Sequence, residues 1–428
     1  MLLELFSYYC SLRYWGAASI DRLRPMQLHK FRDVFEYARA HSKFYRNLYK
    51  EHGILNLKIN SWDDVQKVPI INKTMIRNHD IRDIMTCEID SNINIHSTSG
   101  STGEPLKIAY SKFEDYASHV RLTTAMMKYG YNPFKKLVLL SRYEPGHEFE
   151  VESDLKKLNL IQRLFPVFRR EVISIFDPVT TIIEKLKKYN PYVLWSTPSV
   201  IHLLAMELER QKQRLEIPLI VTMAETISDD QLALFRNRIC LNILDVYGCM
   251  ESPSMGFSYN SVGYKNIVSD STLAEVINPR DMNGFRVGDV IITNLINKTM
   301  PFIRYDLGDF VEVLDDRQFP NKKIGRIHGR FDDIITLDNG ETLSFHQTYQ
   351  LFHDFHECKQ YKFLQRKNGD VILQLIVEPG VNKDTVAVAV MDRWHAKFPG
   401  ARLEIEWVDS FKIDARTGKF KVLERERT

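Results

Sequence analysis

Five short apolar runs constrain this chain more than any other feature. They are KLVLLS (136–141), EVISIF (171–176), PYVLWS (191–196), IPLIVTMAE (217–225) and NILDVYG (242–248). Each has the length of a buried strand. Patterned helical stretches at Pro178–Lys188, Ser199–Arg214 and Asp229–Arg238 separate several of them. Strand–helix alternation of this kind predicts an α/β fold built on a buried sheet. Upstream, Leu28, Phe31, Phe35 and Ala38 recur at helical spacing, which predicts an amphipathic helix over Met26–Ala40. From about Ala274 the texture becomes more purely β, as in AEVINPR, VGDVIITN and PFIRYDLGDF.

The last hundred residues read as a separate small α+β unit. Asn368-Gly369 lies between alternating runs, a strong hairpin signal. Lys383–Lys397 then reads as a helix, and ARLEIEWV as a strand. The expected boundary falls within KIGRIHGRFDD, giving a large domain over 1–328 and a small one over 329–428. A length of 428 residues suits two or three domains.

Composition removes several classes of function. There are 58 basic and 55 acidic residues, for a net charge of +3, which is too balanced to argue for nucleic acid. The five cysteines are scattered, odd in number and without a CxxC pair, so reduced thiols in a cytoplasmic protein are expected, with no disulfide framework. The apolar N-terminus, MLLELFSYYCSLRYWGAAS, is interrupted by Glu4 and Arg13 and has no basic start. It is too short for a membrane span and reads as a packed helix, with a peripheral membrane contact as the second reading. No transmembrane segment is expected.

The stretch HSTSGSTGEPLKIAY (96–110) packs serine, threonine and glycine together before a strand-like run. Glycine lets a backbone approach a ligand closely, and successive N–H groups can form an anion-binding nest. A generic surface loop is the competing reading. The loop is not a Walker A motif, because Glu104 follows Gly103, and it contains no G-x-S-x-G elbow.

Four further stretches occur in order: DVYGCMESP (245–253), PFIRYDLGDF (301–310), GRFDDIITLDNGE (329–341) and DARTGKFKVLE (414–424). Together with the serine- and glycine-rich loop, this set resembles the adenylate-forming superfamily of acyl- and aryl-CoA ligases. FRDVFEYARAHSKFYRNLY, VPIINKTMIRN and MAETISDDQ are similar to its phenylacetate–CoA ligase branch, which includes coenzyme F390 synthetase-like and capsule-biosynthesis members. The resemblance covers essentially the whole chain. It implies ATP-dependent activation of a carboxylic acid to an acyl-adenylate, release of pyrophosphate, and acyl transfer to a second nucleophile, usually coenzyme A. It also implies a large N-terminal domain and a small C-terminal domain that moves between the two steps.

The resemblance assigns roles to particular residues. Ser99, Gly100, Ser101, Thr102 and Gly103 would hold the β- and γ-phosphates. Tyr247, with Gly248 beside it, would lie against the adenine. Glu251 would bind Mg²⁺, a hard cation that takes oxygen ligands. Asp309 would accept from the ribose hydroxyls, as a carboxylate at a turn can, and Arg330 would reach the ribose or phosphates. Asp332 would be the hinge. Lys419 would bridge the acid and the α-phosphate, with Lys421 as the rival lysine. Trp195, Met223, Ala224 and Cys249 would line the acid pocket, for which an aromatic or apolar acid is expected. Plainer readings stand beside these: a core aromatic for Tyr247, a helix N-terminal acid for Glu251, a turn residue for Asp309, turn caps for Asp332 and Asp333, a basic surface for Lys419, and core packing for Trp195 and Met223. His147 reads as a surface-loop histidine.

Some positions depart from the family pattern. Lysine is common where Glu104 stands, and here Lys107 comes one place late. Asp306 and Leu307 replace the commoner arginine and threonine. The stretch SPSMGFSYNSVGYKNIVSD contains neither Cys nor His, so the zinc cluster of some relatives is not expected. The departures keep alternatives open: an amide- or ester-forming ligase in surface-polysaccharide or natural-product assembly, an inactive adenylation-fold scaffold, or a non-enzymatic interaction protein. The expected partners are a small carboxylic acid and either coenzyme A or an amine. A homodimer is compatible with the sequence, and nucleic acid is not expected.

Overall fold

The computed structural model describes residues 1–97, 106–141, 170–282, 284–314, 320–330, 334–343, 345–352, 355, 357–377, 380–409, 411 and 422–426. The chain divides into two compact units. The first comprises Met1–Asn278, Asp289–Leu307 and Val313–Arg326. The second comprises Pro279–Gly288, Gly308–Glu312 and Ile327–Thr428.

Three helices open the first unit: Leu2–Gly16, Ile20–His41 and Lys43–Glu51. The second extends the expected Met26–Ala40 helix at both ends and buries Leu23, Phe31, Val34, Phe35 and Ala38. Ser42 separates it from the third helix and caps it, its hydroxyl accepting from the Tyr45 amide. Phe35 and Tyr49 stack at 4.6 Å between ring centroids.

Strands β1 (Ile93–Ser97) and β2 (Lys107–Ser111) pair antiparallel, with Ser97 opposite Lys107 and Ile93 opposite Ser111. The ends of the serine- and glycine-rich loop are therefore clamped together. Its residues Ser99 to Gly103, with Glu104 and Pro105, lie outside the described residues.

The apolar runs form five adjacent strands of an eight-stranded sheet, reaching from its middle to one edge. They supply β3 (Leu137–Ser141), β4 (Arg170–Ser174), β5 (Val193–Ser196), β6 (Leu219–Met223) and β7 (Ile243–Cys249). All five run parallel, in the spatial order β7-β6-β5-β3-β4. Strands β8 (Ser252–Tyr259) and β9 (Tyr264–Ile267) then extend the sheet antiparallel beside β7. Alternate residues of the parallel strands enter two different cores. Val138, Leu194 and Ile220 pack with Ile183, Leu204 and Phe235 from the helices Val179–Tyr189, Pro198–Arg210 and Asp229–Arg238. Leu137, Val193 and Val221 pack instead with Leu122, Ala125 and Met126 of the helix Lys112–Met127. Burial on both faces explains why these strands read as unbroken apolar runs.

One ionic group interrupts this sheet. Asp245 on β7 pairs with Lys265 on β9, both buried, and accepts from the Thr222 hydroxyl at 3.0 Å. Next along the chain come β10 (Thr272–Met282), β11 (Phe285–Asn294), β12 (Tyr305–Glu312) and β13 (Lys323–Gly325).

The second unit contains β14 (Ile327–Arg330) and the pairs β15 (Ile335–Thr336) with β16 (Thr342–Leu343) and β17 (Cys358–Gln365) with β18 (Val371–Val377). The β17–β18 hairpin turns at Asn368-Gly369, with Gly369 at φ +91°. Two strands, β19 (Glu404–Trp407) and β20 (Leu423–Arg425), complete its sheet in the order β19-β18-β17-β20. The helix Lys383–Lys397 packs Val386, Val390 and Trp394 against Phe363, Leu373 and Leu375. The Trp394 indole donates to the Ala401 carbonyl at 2.8 Å, so a bulky aromatic is buried without an orphaned N–H.

Candidate active site

In an α/β sheet, ligands bind outside the carboxyl ends of the parallel strands. Here those ends bring Trp195 on β5, Met223 on β6 and Tyr247 on β7 into one region of the first unit. Adjacent register fixes the arrangement: Trp195 lies opposite Val221, and Met223 opposite Val246. The Trp195 indole N–H donates to the Met223 sulfur at 3.0 Å. Both side chains are half-buried, so they form one continuous wall. Ala224 follows at φ +71°, a left-handed conformation that a Cβ disfavours. Glu225 then accepts from the amide and hydroxyl of Ser199, at 2.9 and 3.0 Å, at the start of the helix Pro198–Arg210.

The β7–β8 connection carries Glu251. The register shifts between Tyr247, opposite Gly256, and Cys249, opposite Ser252. This irregularity turns the chain so tightly that a Cβ on Gly248 would lie 2.6 Å from the Ser254 amide nitrogen and 3.2 Å from the Ser252 carbonyl oxygen. Only glycine fits there. Glu251 therefore sits at a tight strand connection and not at a helix N-terminus.

The Glu251 carboxylate is buried, and its Oε1 accepts from the Tyr305 hydroxyl at 2.7 Å. The Glu251 carbonyl accepts from Asn294 at 3.2 Å. Tyr110 on β2 donates its hydroxyl to the carbonyl of Met250. Burial, reinforced by the charges of Cys249 and Glu251, pushes the Tyr110 phenol well above its usual range, so it remains a neutral donor. The strand that leaves the glycine-rich loop is thus bonded to the residue preceding Glu251.

A magnesium ion fits this donor set. Among the described residues no cluster of three His, Cys, Asp or Glu could hold a metal. Mg²⁺ needs no such cage when phosphates share it: one or two carboxylates and water complete its shell. Oε2 of Glu251 carries no protein hydrogen bond among the described residues.

At the entrance of the loop, His96 Nε2 lies 3.3 Å from Asp115 Oδ2, and Asn94 donates to the same oxygen at 2.8 Å. Asp115 holds the His96 pKa above its usual value. Burial would raise Asp115, but His96 and Asn94 outweigh it and hold the carboxyl low.

The second motif differs locally from expectation. Asp309 lies within strand β12, opposite Arg330 on β14, and not in a turn. Gly308 just before it takes φ +71°, and antiparallel pairing then holds Asp309 extended. Arg304 of the same motif is a brace. Its guanidinium bonds both Glu275 oxygens, at 3.1 and 2.9 Å, and the carbonyls of Gln66 and Val68, at 2.8 and 2.6 Å. Asp332, His147, Lys419 and Lys421 lie outside the described residues. Tyr305 and Tyr110 escaped the sequence reading, because a tyrosine in a β-rich stretch carries no mark of the carboxylate or carbonyl it will meet.

No protein-family model matches the chain. It is 24% identical over 341 residues to the phenylacetate–coenzyme A ligase of Pseudomonas putida, covering 75% of this chain and 73% of that protein. It is 22% identical over 388 residues to protein CapK of Staphylococcus aureus, covering 86% and 82% respectively. Among solved structures, a 2-hydroxyisobutyryl-CoA ligase in its postadenylation state superposes with a TM-score of 0.71 at 18% identity, over 92% of this chain and 87% of that one. The chain is thus similar in sequence to phenylacetate–CoA ligases and shares the fold of an acyl-CoA ligase that forms an adenylate. The superfamily's large first domain and smaller second one agree with the mixed α/β architecture seen here.

Proposed function

We propose that this protein activates a carboxylic acid with ATP, forming an acyl-adenylate and pyrophosphate, and then transfers the acyl group to coenzyme A. The observation that carries the reading is the bond from Tyr110 to the Met250 carbonyl. It ties the exit strand of a loop suited to phosphates to the turn bearing a buried carboxylate suited to Mg²⁺. Polyphosphate and metal ligands need that proximity, and a structural loop does not.

In this reading Ser99 to Gly103 hold the β- and γ-phosphates with backbone amides and hydroxyls. Glu251 supplies one hard oxygen to Mg²⁺, oriented by Tyr305. The ion neutralises phosphate charge when bound. Tyr247 lies beside the adenine, Asp309 accepts from the ribose hydroxyls, and Arg330 reaches the ribose or phosphates. The Trp195–Met223 wall, with Ala224 and Cys249, receives an aromatic or apolar acid. Lys419 lowers the repulsion between the acid and the α-phosphate in the closed state, and Asp332 is the hinge that removes it afterwards.

A pyrophosphate-release screen over a carboxylic-acid library, with and without coenzyme A, tests this. Release without coenzyme A demonstrates adenylation, and a rise with coenzyme A identifies the acceptor. Release that rises only with an amine reassigns the acceptor. No release with any acid rejects the reading.

A further inference from the structure

A cavity of about 630 Å³ lies among the helices Ile20–His41 and Lys43–Glu51 and the segment 55–60. Four of its lining side chains are cations, Arg32, Arg39, Arg46 and Lys58, against one carboxylate, Glu36. The guanidiniums are fixed by neutral partners. Arg32 Nε donates to the Ile59 carbonyl at 2.5 Å. Arg39 Nη1 donates to the carbonyls of Leu55 and Leu57, both at 3.1 Å. Arg46 Nη2 donates to the Ala40 carbonyl at 2.6 Å. Carbonyl oxygens hold these groups in place without cancelling their charge.

Among the described residues none of the four cations forms an ion pair. Asp33, the nearest other acid along the helix, faces His29 at 3.5 Å. Clamping the 55–60 segment explains one edge of Arg32 and of Arg39. It does not explain Lys58, which bonds to nothing described, or the void that the cations surround. Four cations gathered against one carboxylate leave an excess of positive charge, and an anion entering the cavity offsets it. A guanidinium held on one edge presents its remaining N–H groups in a fixed fork, the geometry that suits phosphate oxygens.

We propose that this cavity is a binding site for a small molecule carrying a chain of two or three phosphates. It shares no residue with the nucleotide site assigned above. Its volume lies within the range of small-ligand pockets and exceeds the needs of a single phosphate. A lining of charged and amide groups favours a polyanion over an apolar ligand. Arg32 and Arg39 fix the frame, while Lys58 and Arg46 add charge at the exposed rim.

The test is calorimetric titration of the full-length protein with inorganic tripolyphosphate at about 50 mM and about 300 mM salt. The wild type should show two binding events, one at the nucleotide site and one here, with the second weakening steeply as salt rises. Lys58→Glu should abolish the second event, and Arg46→Gln should weaken it by about tenfold or more. Glu251→Gln should leave it unchanged, which separates this site from the proposed catalytic one. Unaltered melting temperatures in both rim variants establish that the fold persists; Lys58 forms no hydrogen bond or ion pair with the described residues. Titration with ATP distinguishes the source. Competition at this site assigns a nucleotide, and binding of tripolyphosphate alone assigns the free chain. The proposal is overturned if no wild-type event, whether one is seen or two, is abolished by Lys58→Glu and weakened by Arg46→Gln; a single event that these variants remove supports this site and counts only against the nucleotide site.

Discussion

The Tyr305 hydroxyl lies 2.7 Å from Oε1 of Glu251, and both side chains are buried. One carboxylate oxygen is thereby fixed by the protein, while the other bonds to no described residue. Groups that orient a metal-binding carboxylate in this way typically change metal affinity by about 10- to 100-fold when removed. Tyr305→Phe should therefore raise the Mg²⁺ concentration needed for half-maximal pyrophosphate release by about tenfold or more. It should also lower the melting temperature, because a buried carboxylate loses its donor, at a cost of roughly 1–3 kcal/mol. Glu251→Gln should abolish release while the protein stays folded. An unchanged Mg²⁺ requirement in Tyr305→Phe would show that the phenol does not orient the carboxylate.

Gly248→Ala should be severe for a one-carbon change. The added Cβ would meet the Ser254 backbone nitrogen at 2.6 Å, and backbone on both sides leaves it no way to retreat. Overpacking of this kind costs about 1–3 kcal/mol. Thermal unfolding should register that loss, and adenylation should fall with it as the Glu251 turn is displaced. A variant with wild-type melting temperature and activity would show that the turn relaxes freely.

Lys419→Ala should slow adenylation by about a hundred- to a thousandfold, or roughly 3–4 kcal/mol, while ATP binding changes little. A lysine that stabilises charge only in the closed state contributes to the reaction and not to the resting complex. Acyl transfer from a synthetic acyl-adenylate should be spared, and Lys421→Ala should affect neither step. A larger defect in Lys421→Ala would reassign the role to the rival lysine.

The His96–Asp115 pair predicts a pH dependence of stability. Asp115 holds the folded-state pKa of His96 above its unfolded value. The stabilisation is therefore complete below the unfolded pKa of about 6.5, and it is lost as pH rises through the folded value. His96 is more than a third exposed, so salt should weaken the effect. Denaturant midpoints at about pH 6 and pH 8.5 should differ more for wild type than for His96→Gln. Identical pH dependence in the two proteins would remove the pair as the cause.

The centre of the fold was legible because burial on two faces writes itself into the sequence. Runs such as PYVLWS and NILDVYG became β5 and β7, and Asn368-Gly369 marked its hairpin. The helix read over Asp229–Arg238 has those bounds in the structure. Strands β8 and β9 were harder to see, because serines and glycine break their alternation and a lysine is buried against Asp245. The Glu251 motif was readable as a string, but not its setting. Tyr305 lies 54 residues away along the chain, and only the tertiary fold brings the two together. Asp309 was misplaced for a local reason: a glycine before an aspartate signals a turn, and pairing with β14 overrides it.

The register shift between β7 and β8 has a consequence for how this protein can change over generations. Glu251 sits in the short turn between β7 and β8, so its direction depends on the length of that turn, which the pairings of Tyr247 with Gly256 and of Cys249 with Ser252 fix at both ends. Substitutions on the outer side of that connection are open to drift. A single-residue insertion or deletion is not, because it would rebuild the turn that aims the carboxylate. The connection preserves a count before it preserves any one letter.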